Sequence, residues 1–493
     1  MIAANLPALQ VVLPLLGAVL CSFFRRGIYA WGVALIVSLA MPLIAAGLLI
    51  QVLDSGPISY AMGGWKPPIG IEYRIDVFNA FLLMLISLIG AVIMPYAKCS
   101  VEKEIASDRQ TWFYAIYLLC LCGLLGMAIT GDAFNVFVFM EVSSLAAYTL
   151  IAMGRDRRAL LAAYQYLIMG TIGATFYVIG VGLLYSMTGT LNMADMASRL
   201  GGIENSRAVL AALAFLTVGI SLKLALFPLH VWLPNAYAYA PSMATVFLAA
   251  TATKVAVYLL LRYFFTIFGT TVILTDHPVS EIFLILSLAA MFGASIVAVF
   301  QDDVKRMLAY SSVGQIGYIT LGIAIANKTG LTGGIVHLFN HALMKGALFM
   351  AIGAVFYRIG SVKLDDLAGI GKRMPITMSA FVIAGFSIIG VPGTVGFVSK
   401  YYLVLGAFEQ GWWWLAFLIV ASSLISVVYI GRIVEVAWFR PVSTAARRAE
   451  EPPLSMLAPT LLLVMATIYF GFDTAATAGI AGRAAEWLLA GVQ

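Results

Sequence analysis

Charged residues are scarce in this chain of 493 residues. Asp, Glu, Lys and Arg make up 11% of it, against about 25% in soluble domains. Hydrophobic residues make up 62%, and the mean hydropathy is +0.98. This composition excludes a soluble globular protein and indicates a polytopic membrane protein with lipid around it. The net charge of +6 does not indicate nucleic-acid binding, because no basic block stands apart from a loop.

Residues that hold cofactors are also few. Of the four cysteines, Cys120 and Cys122 are two positions apart and face different sides of a helix, so they do not predict a shared metal site. The sequence has no cysteine cluster for an iron–sulfur centre, no CxxCH for haem and no glycine fingerprint after a strand. We therefore expect no cofactor and no bound metal, and any electron transfer would belong to other subunits.

Apolar runs, by contrast, are abundant. They are close to 20 residues long, which fits membrane-spanning helices and not the ten-residue alternating strands of a barrel. We predict an all-α polytopic membrane protein with about 14 transmembrane helices. Their predicted centres lie near residues 13, 40, 86, 120, 142, 174, 217, 255, 290, 316, 345, 392, 424 and 462. No positive charge precedes the first run, so we expect no cleavable signal.

The charges of the loops predict an orientation. Leaving aside the lysines inside spans, eighteen Lys and Arg residues follow odd-numbered spans, and seven follow even-numbered spans or lie at the C-terminus. By the positive-inside rule, the odd-numbered loops are cytoplasmic and both termini lie on the outer side.

Two spans are predicted to be broken. Lys223 is followed by Pro228, and the twelfth span carries Pro392 at its middle and Lys400 after it. Proline interrupts the helical hydrogen bonds, and irregular backbone at membrane depth must line protein or water. Breaks at corresponding places in two halves point to a transport site, whereas the alternative is that these prolines merely kink packed helices.

These breaks divide the chain into predicted units. Residues 1–110 form three N-terminal spans, residues 111–268 and 280–440 form two five-span halves, and residues 441–493 form the last span and a tail. Lys223 and Lys400 are then counterparts in the two halves.

Charged residues inside the spans are the candidate functional groups. Lys223 lies in an otherwise uncharged run over 208–228, where an ammonium costs about 2.5–3.5 kcal/mol and is kept only with a partner, water or a function. Glu141, Lys254 and Lys400 lie in comparable runs. Glu141 is either neutral or paired with a cation, and a pair with Lys223 can switch between joined and separated states. For Lys254, the alternative is a side chain that reaches an interface.

The eleventh span adds three polar residues on one face. His337, His341 and Lys345 are spaced i, i+4, i+8. Imidazole titrates near neutral pH and suits a relay, although a single membrane histidine is more often a packing residue. Lys345 can be a purely structural donor, and His230, directly after the first break, can cap freed carbonyls. We predict that Glu141, Lys223, Lys254, His337, His341 and Lys400 transfer protons, with His230 and Lys345 in support.

Five segments in order resemble the signature segments of the antiporter-like subunits of respiratory complex I, membrane-bound hydrogenases and Mrp Na⁺/H⁺ antiporters. They are LKLALFPLHVWLPNAYAYAPS, TKVAVYLLLR, QDDVKRMLAYSSVGQIGYI, HLFNHALMKGALFM and VPGTVGFVSKYYL. The resemblance covers roughly residues 76–440. It implies two inverted five-helix repeats around a central hydrophilic axis. The family's functional positions fall by motif match on Glu141, Lys223, Lys254, His337, His341 and Lys400.

Within this family the chain is most similar to the D-type subunit of the Mrp antiporters. Tyr237 stands where many complex I relatives have histidine, and Lys400 stands where the middle complex I subunit typically has glutamate. The sequence ends soon after span fourteen, without the long lateral helix of the largest relatives.

The resemblance implies a proton-translocating subunit of a multisubunit Na⁺/H⁺ antiporter. Its expected partners are the antiporter-like A-type subunit and small multispan subunits in a bacterial or archaeal plasma membrane, with H⁺ and Na⁺ as substrates. We do not expect an enzyme. The alternative is a non-redox, proton-pumping membrane subunit of a complex I-like oxidoreductase or a membrane-bound hydrogenase.

Overall fold

The computed structural model describes residues 3–490, and helices dominate this part of the chain. Two short strands, β1 (Ile58–Ala61) and β2 (Glu72–Ile75), pair antiparallel between the second and third long helices. The α-helices are α1 (Leu6–Ser22), α2 (Gly27–Ser55), α3 (Val77–Glu104), α4 (Gln110–Ile129), α5 (Ala133–Ala152), α6 (Arg157–Thr188), α7 (Met193–Leu200), α8 (Arg207–Leu224), α9 (Trp232–Tyr239), α10 (Ser242–Leu261), α11 (Val279–Ala289), α12 (Ser295–Val299), α13 (Val304–Ala324), α14 (Lys328–Ile359), α15 (Pro375–Ile389), α16 (Val395–Glu409), α17 (Trp413–Phe439), α18 (Leu454–Phe472) and α19 (Ala475–Ala490).

The helices confirm the all-α, polytopic fold. Within residues 3–490, eleven helices are long and apolar enough to cross a membrane, or up to twelve if one bent pair counts as a further span. Thirteen of the fourteen predicted centres lie inside a helix or a run of consecutive helical turns, and the one near residue 392 lies at the break between α15 and α16. The tenth predicted span, α13, is long enough to cross a membrane but is more polar than these helices. Its side chains are almost all buried, so protein and not lipid surrounds it.

Polar groups lie at the centre of the bundle, and apolar groups cover its outside. The most apolar stretch of the span Ser242–Phe268, which contains α10, is 94% buried inside the protein, whereas the corresponding stretch of α2 is only 28% buried. Large apolar side chains such as Leu43 and Phe417 are more than 70% exposed. A surface of this kind suits lipid tails. The buried helices α10 and α14 pack against each other and carry Lys254, His337 and His341.

Both predicted breaks are present. After α8, Ala225 adopts a left-handed conformation with φ of 60°, and α9 begins only at Trp232. After α15, Gly390 has φ of 92°, and α16 begins at Val395. Pro228 and Pro392 lie in these two connecting segments. Each half-helix therefore ends inside the bundle, where its last carbonyl groups need donors and its dipole favours a cation.

Two basic residues that the loop count placed outside the spans are in fact buried. Arg262 follows α10 and forms an ion pair of 2.7 Å with Asp76, and both side chains are less than 10% exposed. Lys305, in the first turn of α13, is 3% exposed. Both lie at the ends of spans, where a basic residue resembles a loop charge, but neighbouring polar groups accept their hydrogen bonds and allow burial. Lys305 was counted with the odd-numbered loops and Arg262 with the even-numbered loops. Removing both therefore leaves the excess of basic residues in the odd-numbered loops unchanged.

The predicted C-terminal tail also contains a helix. α19 packs against α3 and α14, and its Trp487 ring lies 4.9 Å from the Arg262 guanidinium. The Asp76–Arg262 pair and this ring join the start of α3, the end of α10 and α19.

Candidate functional site

Lys223 is held by two hydroxyl groups of α5. Its Nζ donates to Ser144 Oγ at 2.5 Å and to Tyr148 Oη at 3.2 Å. It stands in the last turn of α8, directly before the break, and its residue is 9% exposed. The end of the half-helix and the two hydroxyls together allow an ammonium at this depth.

Glu141 lies one turn before Ser144 on α5 but does not form an ion pair with Lys223. Its side chain is half-buried, and its Oε1 is buried without a hydrogen-bond partner among residues 3–490. The carboxylate and the ammonium still interact electrostatically. The structure therefore holds the separated arrangement of the predicted pair, with Ser144 and Tyr148 as the hydrogen-bond partners of Lys223.

A small cavity extends from Lys223 towards the central helix. It measures about 30 Å³ and is lined by Lys223 and Ser144 on one side and by Ala252 and Ala256 of α10 on the other. A cavity holds a water molecule once it exceeds roughly 10–15 Å³. A single water would extend the polar groups of α5 and α8 towards the helix that carries Lys254.

Lys254 lies at the centre of α10 and is completely buried. Its Nζ donates to its own helix, to the Ala249 carbonyl at 2.5 Å and to Thr253 Oγ1 at 3.3 Å. The interface position considered from the sequence is thus wrong. Lys254 interacts electrostatically with His337 and His341 of the neighbouring α14.

The two histidines of α14 stack with ring centroids 6.1 Å apart, as their spacing predicts. His337 bonds through Nδ1 to Ser399 at 2.8 Å and through Nε2 to Gln315 at 3.0 Å. His341 is fully buried, and neither of its ring nitrogens has a hydrogen-bond partner in the described part of the chain. Buried polar groups are usually hydrogen-bonded, so these two nitrogens set His341 apart from His337.

Lys400 reaches back across the second break. Its Nζ donates to the carbonyls of Ile388 and Ile389, the last residues of α15, and to Ser423 Oγ, all at 2.9 Å. The ammonium lies 4.7 Å from the centre of the Tyr318 ring. Lys223 and Lys400 thus both lie at the C-terminal end of an interrupted helix. Lys223 belongs to the helix before its break, whereas Lys400 follows its break and donates to the last carbonyl groups of α15.

Tyr318 connects Lys400 to the histidines. Its hydroxyl bonds to Ser422 at 2.5 Å and to Ser423 at 3.1 Å, and its ring centre is 5.5 Å from that of His337. Hydrogen bonds thus connect Lys400 through Ser423 to the Tyr318 hydroxyl, and the Tyr318 ring packs beside the His337 ring.

Lys345 starts a second polar branch. It donates to the Leu308 carbonyl at 2.8 Å and to Ser311 Oγ at 2.9 Å. Ser311 bonds to Tyr429 at 2.8 Å, and Tyr429 donates to Ser426 at 3.0 Å. This branch ends on α17, the helix that also carries Ser423.

A tryptophan caps a carbonyl group at the first break, where the sequence also suggested a capping role for His230. Trp232 Nε1 donates to the Leu222 carbonyl at 2.9 Å, directly before Lys223. The Trp232 ring stacks at 3.8 Å on Tyr166, which packs against Tyr148. His230 stacks on Phe227 at 5.1 Å.

Sequence reasoning missed the hydroxyl and amide groups that hold the charged residues. A signal for some of them was present. Ser311, Gln315 and Tyr318 have the spacing i, i+4, i+7, which places a polar stripe on one face of α13. Ser144 and Tyr148 likewise follow Glu141 at three and seven positions. Ser422 and Ser423 carried no such signal, because isolated serines are ordinary in membrane helices.

The buried cations differ by residue type. Arg262 is paired with a carboxylate, whereas no carboxylate contacts Lys254, Lys345 or Lys400 in the part of the chain that the structure describes. An unpaired buried ammonium is costly, but lysine can release its proton and arginine cannot. Residues 3–490 hold no group of three or more His, Cys, Asp or Glu side chains arranged for a metal ion. Release and uptake of a proton by a buried lysine is the chemistry that these three unpaired ammonium groups allow.

Comparisons with known proteins identify the family of the chain. Residues 130–426 match the family described as "NADH:quinone oxidoreductase/Mrp antiporter, TM". The chain is 41% identical to NADH-quinone oxidoreductase subunit N of Desulforudis audaxviator, with 99% of both chains covered. It is 31% identical to the D-type subunit of the Na⁺/H⁺ antiporter of Alkalihalophilus pseudofirmus, over 95% of this chain and 94% of the relative. A chain in the structure of the Mrp complex from Dietzia sp. DQ12-45-1b superposes with a TM-score of 0.90 at 27% identity, covering 99% of this chain and 98% of that one.

Proposed function

The chain belongs to the NADH:quinone oxidoreductase/Mrp antiporter transmembrane family, and we propose that it moves protons along its buried axis as one subunit of a membrane complex. The observation that carries the proposal is the set of buried lysines that donate to carbonyl and hydroxyl oxygens without a carboxylate partner, among them Lys254, which interacts electrostatically with His337 and His341. Such groups can take up and release protons in a protein interior.

The proposed path has two ends and a centre. Glu141 and Lys223 form one end, where Lys223 moves between Ser144 and Glu141. Lys254, His341 and His337 form the centre. At the other end, Lys400 exchanges protons through Ser423 and Tyr318. Lys345 and His230 support the path. The break at Pro392 leaves the carbonyl groups that hold Lys400, and the break at Pro228 ends α8 directly after Lys223.

We propose that this movement of protons is coupled to the exchange of H⁺ for Na⁺ in an Mrp-type antiporter. Support comes from the relatives named as D-type subunits of Na⁺/H⁺ antiporters and from the likeness to a chain of the Mrp complex. The proposed partners are the antiporter-like A-type subunit and small multispan subunits. The proposed location is the plasma membrane of a bacterium or archaeon, with both termini on the outer side.

A redox-driven pump is the second candidate. It is favoured by the 41% identity to a protein named NADH-quinone oxidoreductase subunit N, which is higher than the 31% identity to the D-type antiporter subunit. In that setting the same axis would move protons, and electron transfer in partner subunits would supply the energy.

One experiment separates the two candidates. Everted vesicles containing the chain with its native partner subunits are energised to an acid interior, and a pH-sensitive dye reports the proton gradient. If the chain serves an antiporter, adding Na⁺ collapses the gradient without any electron donor specific to the complex. If it serves a redox pump, Na⁺ has no effect, and oxidation of the donor by the partners builds the gradient. Failure of both responses in a correctly assembled complex would contradict proton translocation.

A further inference from the structure

A large polar cavity opens at the end of the bundle where the odd-numbered loops lie, away from the axis. It measures about 540 Å³, within the range of about 300–1,000 Å³ that is usual for small-molecule sites. The end of α3, the loop after α5, the end of α14 with the loop after it, residues 238–241 and the start of α13 form its walls. We refer to it as the basic vestibule, because five Lys and Arg side chains and three Asp and Glu side chains line it.

Each of the three carboxylates already accepts a hydrogen bond from a backbone N–H group at the N-terminus of a helix. Asp156 accepts the Arg158 backbone N–H at 2.9 Å at the start of α6, and Asp303 accepts the Arg306 N–H at 2.9 Å at the start of α13. Glu104 accepts the Ser242 N–H at 2.9 Å at the start of α10. Carboxylates in these positions neutralise the positive ends of the helices.

One of the five basic side chains is also engaged by a carboxylate. Arg158 forms an ion pair of 2.6 Å with Asp156. The hydrogen bonds from the Arg158 side chain and backbone hold the pKa of Asp156 below its usual range. This carboxylate therefore stays ionised and remains paired with Arg158.

The other basic side chains lack such partners. Lys305 is 3% exposed, and its Nζ donates to Ser242 Oγ at 3.0 Å and to the Ala240 carbonyl at 3.4 Å. Glu104 and Asp303 attract this ammonium electrostatically, but neither forms an ion pair with it. Arg155 and Lys363 are exposed at the walls, and neither forms an ion pair with any described residue. Lys103 donates to the Tyr357 carbonyl. The vestibule therefore has more basic side chains than carboxylates, five against three. The buried ammonium of Lys305 lies in its wall without a direct carboxylate contact.

We propose that the basic vestibule binds a phosphate group, either the headgroup of an anionic phospholipid or free phosphate. Lys305 would give a charge-assisted hydrogen bond from the wall, and Arg155 and Lys363 would hold the outer oxygens. Basic pockets between membrane helices on the cytoplasmic side bind such headgroups, and these loops are the ones predicted to be cytoplasmic. The proposed phosphate site does not depend on the proton path, nor on whether the chain serves an antiporter or a redox pump.

Binding measurements on the delipidated complex in neutral detergent test this site. The complex is titrated with short-chain phosphatidylglycerol, with the matching phosphatidylcholine and with inorganic phosphate. The variants are Lys305→Met and the double variant Arg155→Gln/Lys363→Gln, which changes only exposed residues and keeps the test valid if Lys305→Met does not fold. Arg157→Gln is the matched control, because Arg157 is exposed beside Arg155 but does not line the vestibule.

We expect phosphatidylglycerol to bind more tightly than phosphatidylcholine, and each vestibule variant to weaken its binding at least tenfold while Arg157→Gln leaves it unchanged. Binding of phosphatidylglycerol alone would identify lipid as the ligand, and competition by inorganic phosphate would identify the free anion as a second ligand. Equal binding of the two lipids together with no phosphate binding would overturn the proposal. An equal loss in Arg157→Gln would overturn it as well.

Discussion

At the scale of single residues, the buried arginine and the buried lysines differ in whether they can lose a proton. Arg262 cannot lose its proton and is buried against Asp76, whereas Lys254, Lys345 and Lys400 are buried against neutral oxygens. A neutral oxygen accepts a hydrogen bond from a lysine but does not require it to stay charged. The lysines can therefore change protonation state without leaving a carboxylate unpaired.

Lys400→Arg tests this distinction. Arginine keeps the positive charge but stays protonated, so we expect transport to fall nearly as far as in Lys400→Ala. The measurement is ΔpH-linked exchange in vesicles over about pH 7–9, the range in which a proton-exchanging lysine acts near working pH. Lys372→Arg, at an exposed loop position, is the control and should behave as wild type. If Lys400→Arg keeps most activity, Lys400 is a fixed electrostatic element and not part of the relay.

At the scale of helices, close approach of the two halves of the second broken span places Lys400. A Cβ atom on Gly396 would lie 1.7 Å from the Ser387 carbonyl oxygen, so only glycine allows α15 and α16 to approach this closely. This contact brings Lys400, one turn later, to the end of α15.

Gly396→Ala is expected to separate the half-helices and remove Lys400 from its carbonyl partners. Transport should fall at least tenfold in vesicles that contain normal amounts of protein. Gly431→Ala is the control, because a Cβ atom there has no neighbour within 4 Å. Full activity in Gly396→Ala would show that the geometry of the second break does not limit transport.

The buried ion pair between Asp76 and Arg262 gives a second prediction at this scale. Arg262→Met leaves Asp76 buried without its partner, and breaking a buried ion pair in this way costs about 3–5 kcal/mol. Thermal denaturation in detergent should show a clear loss of stability. Arg199→Met, which breaks the partly exposed pair with Asp195, should cost about 0–1 kcal/mol. Equal losses in the two variants would contradict a stabilising role for the buried pair.

At the scale of the whole molecule, the sequence predicts the helices and the breaks but not how the charges are held. Hydrophobic periodicity and proline positions locate the spans, because lipid requires long apolar segments. The partner of Lys223 was not predictable in the same way. Glu141 is the obvious counterion, but Ser144 and Tyr148 hold the ammonium. Arg262 and Lys305 were misassigned for a related reason, since burial at the end of a span depends on neighbours that are distant in sequence.

The isolated chain is expected to be inactive, because residues 3–490 form a membrane bundle and relatives of the chain occur in multisubunit complexes. Expressed alone in an antiporter-deficient host, it should fail to restore salt or alkali tolerance, whereas the complete set of subunits restores it. Robust Na⁺/H⁺ exchange by the purified chain in liposomes would show that it needs no partner.

The central claim is that protons move through Glu141 and Lys223. The most direct measurement is proton exchange in everted vesicles that contain the assembled complex with Glu141→Ala or Lys223→Ala. Exposed Glu450→Ala and Lys372→Ala serve as controls for the loss of a carboxylate and of a lysine. We predict that both axis variants lose exchange while assembly of the complex and both controls remain normal. Wild-type exchange in either axis variant, at a normal protein level, would contradict the account.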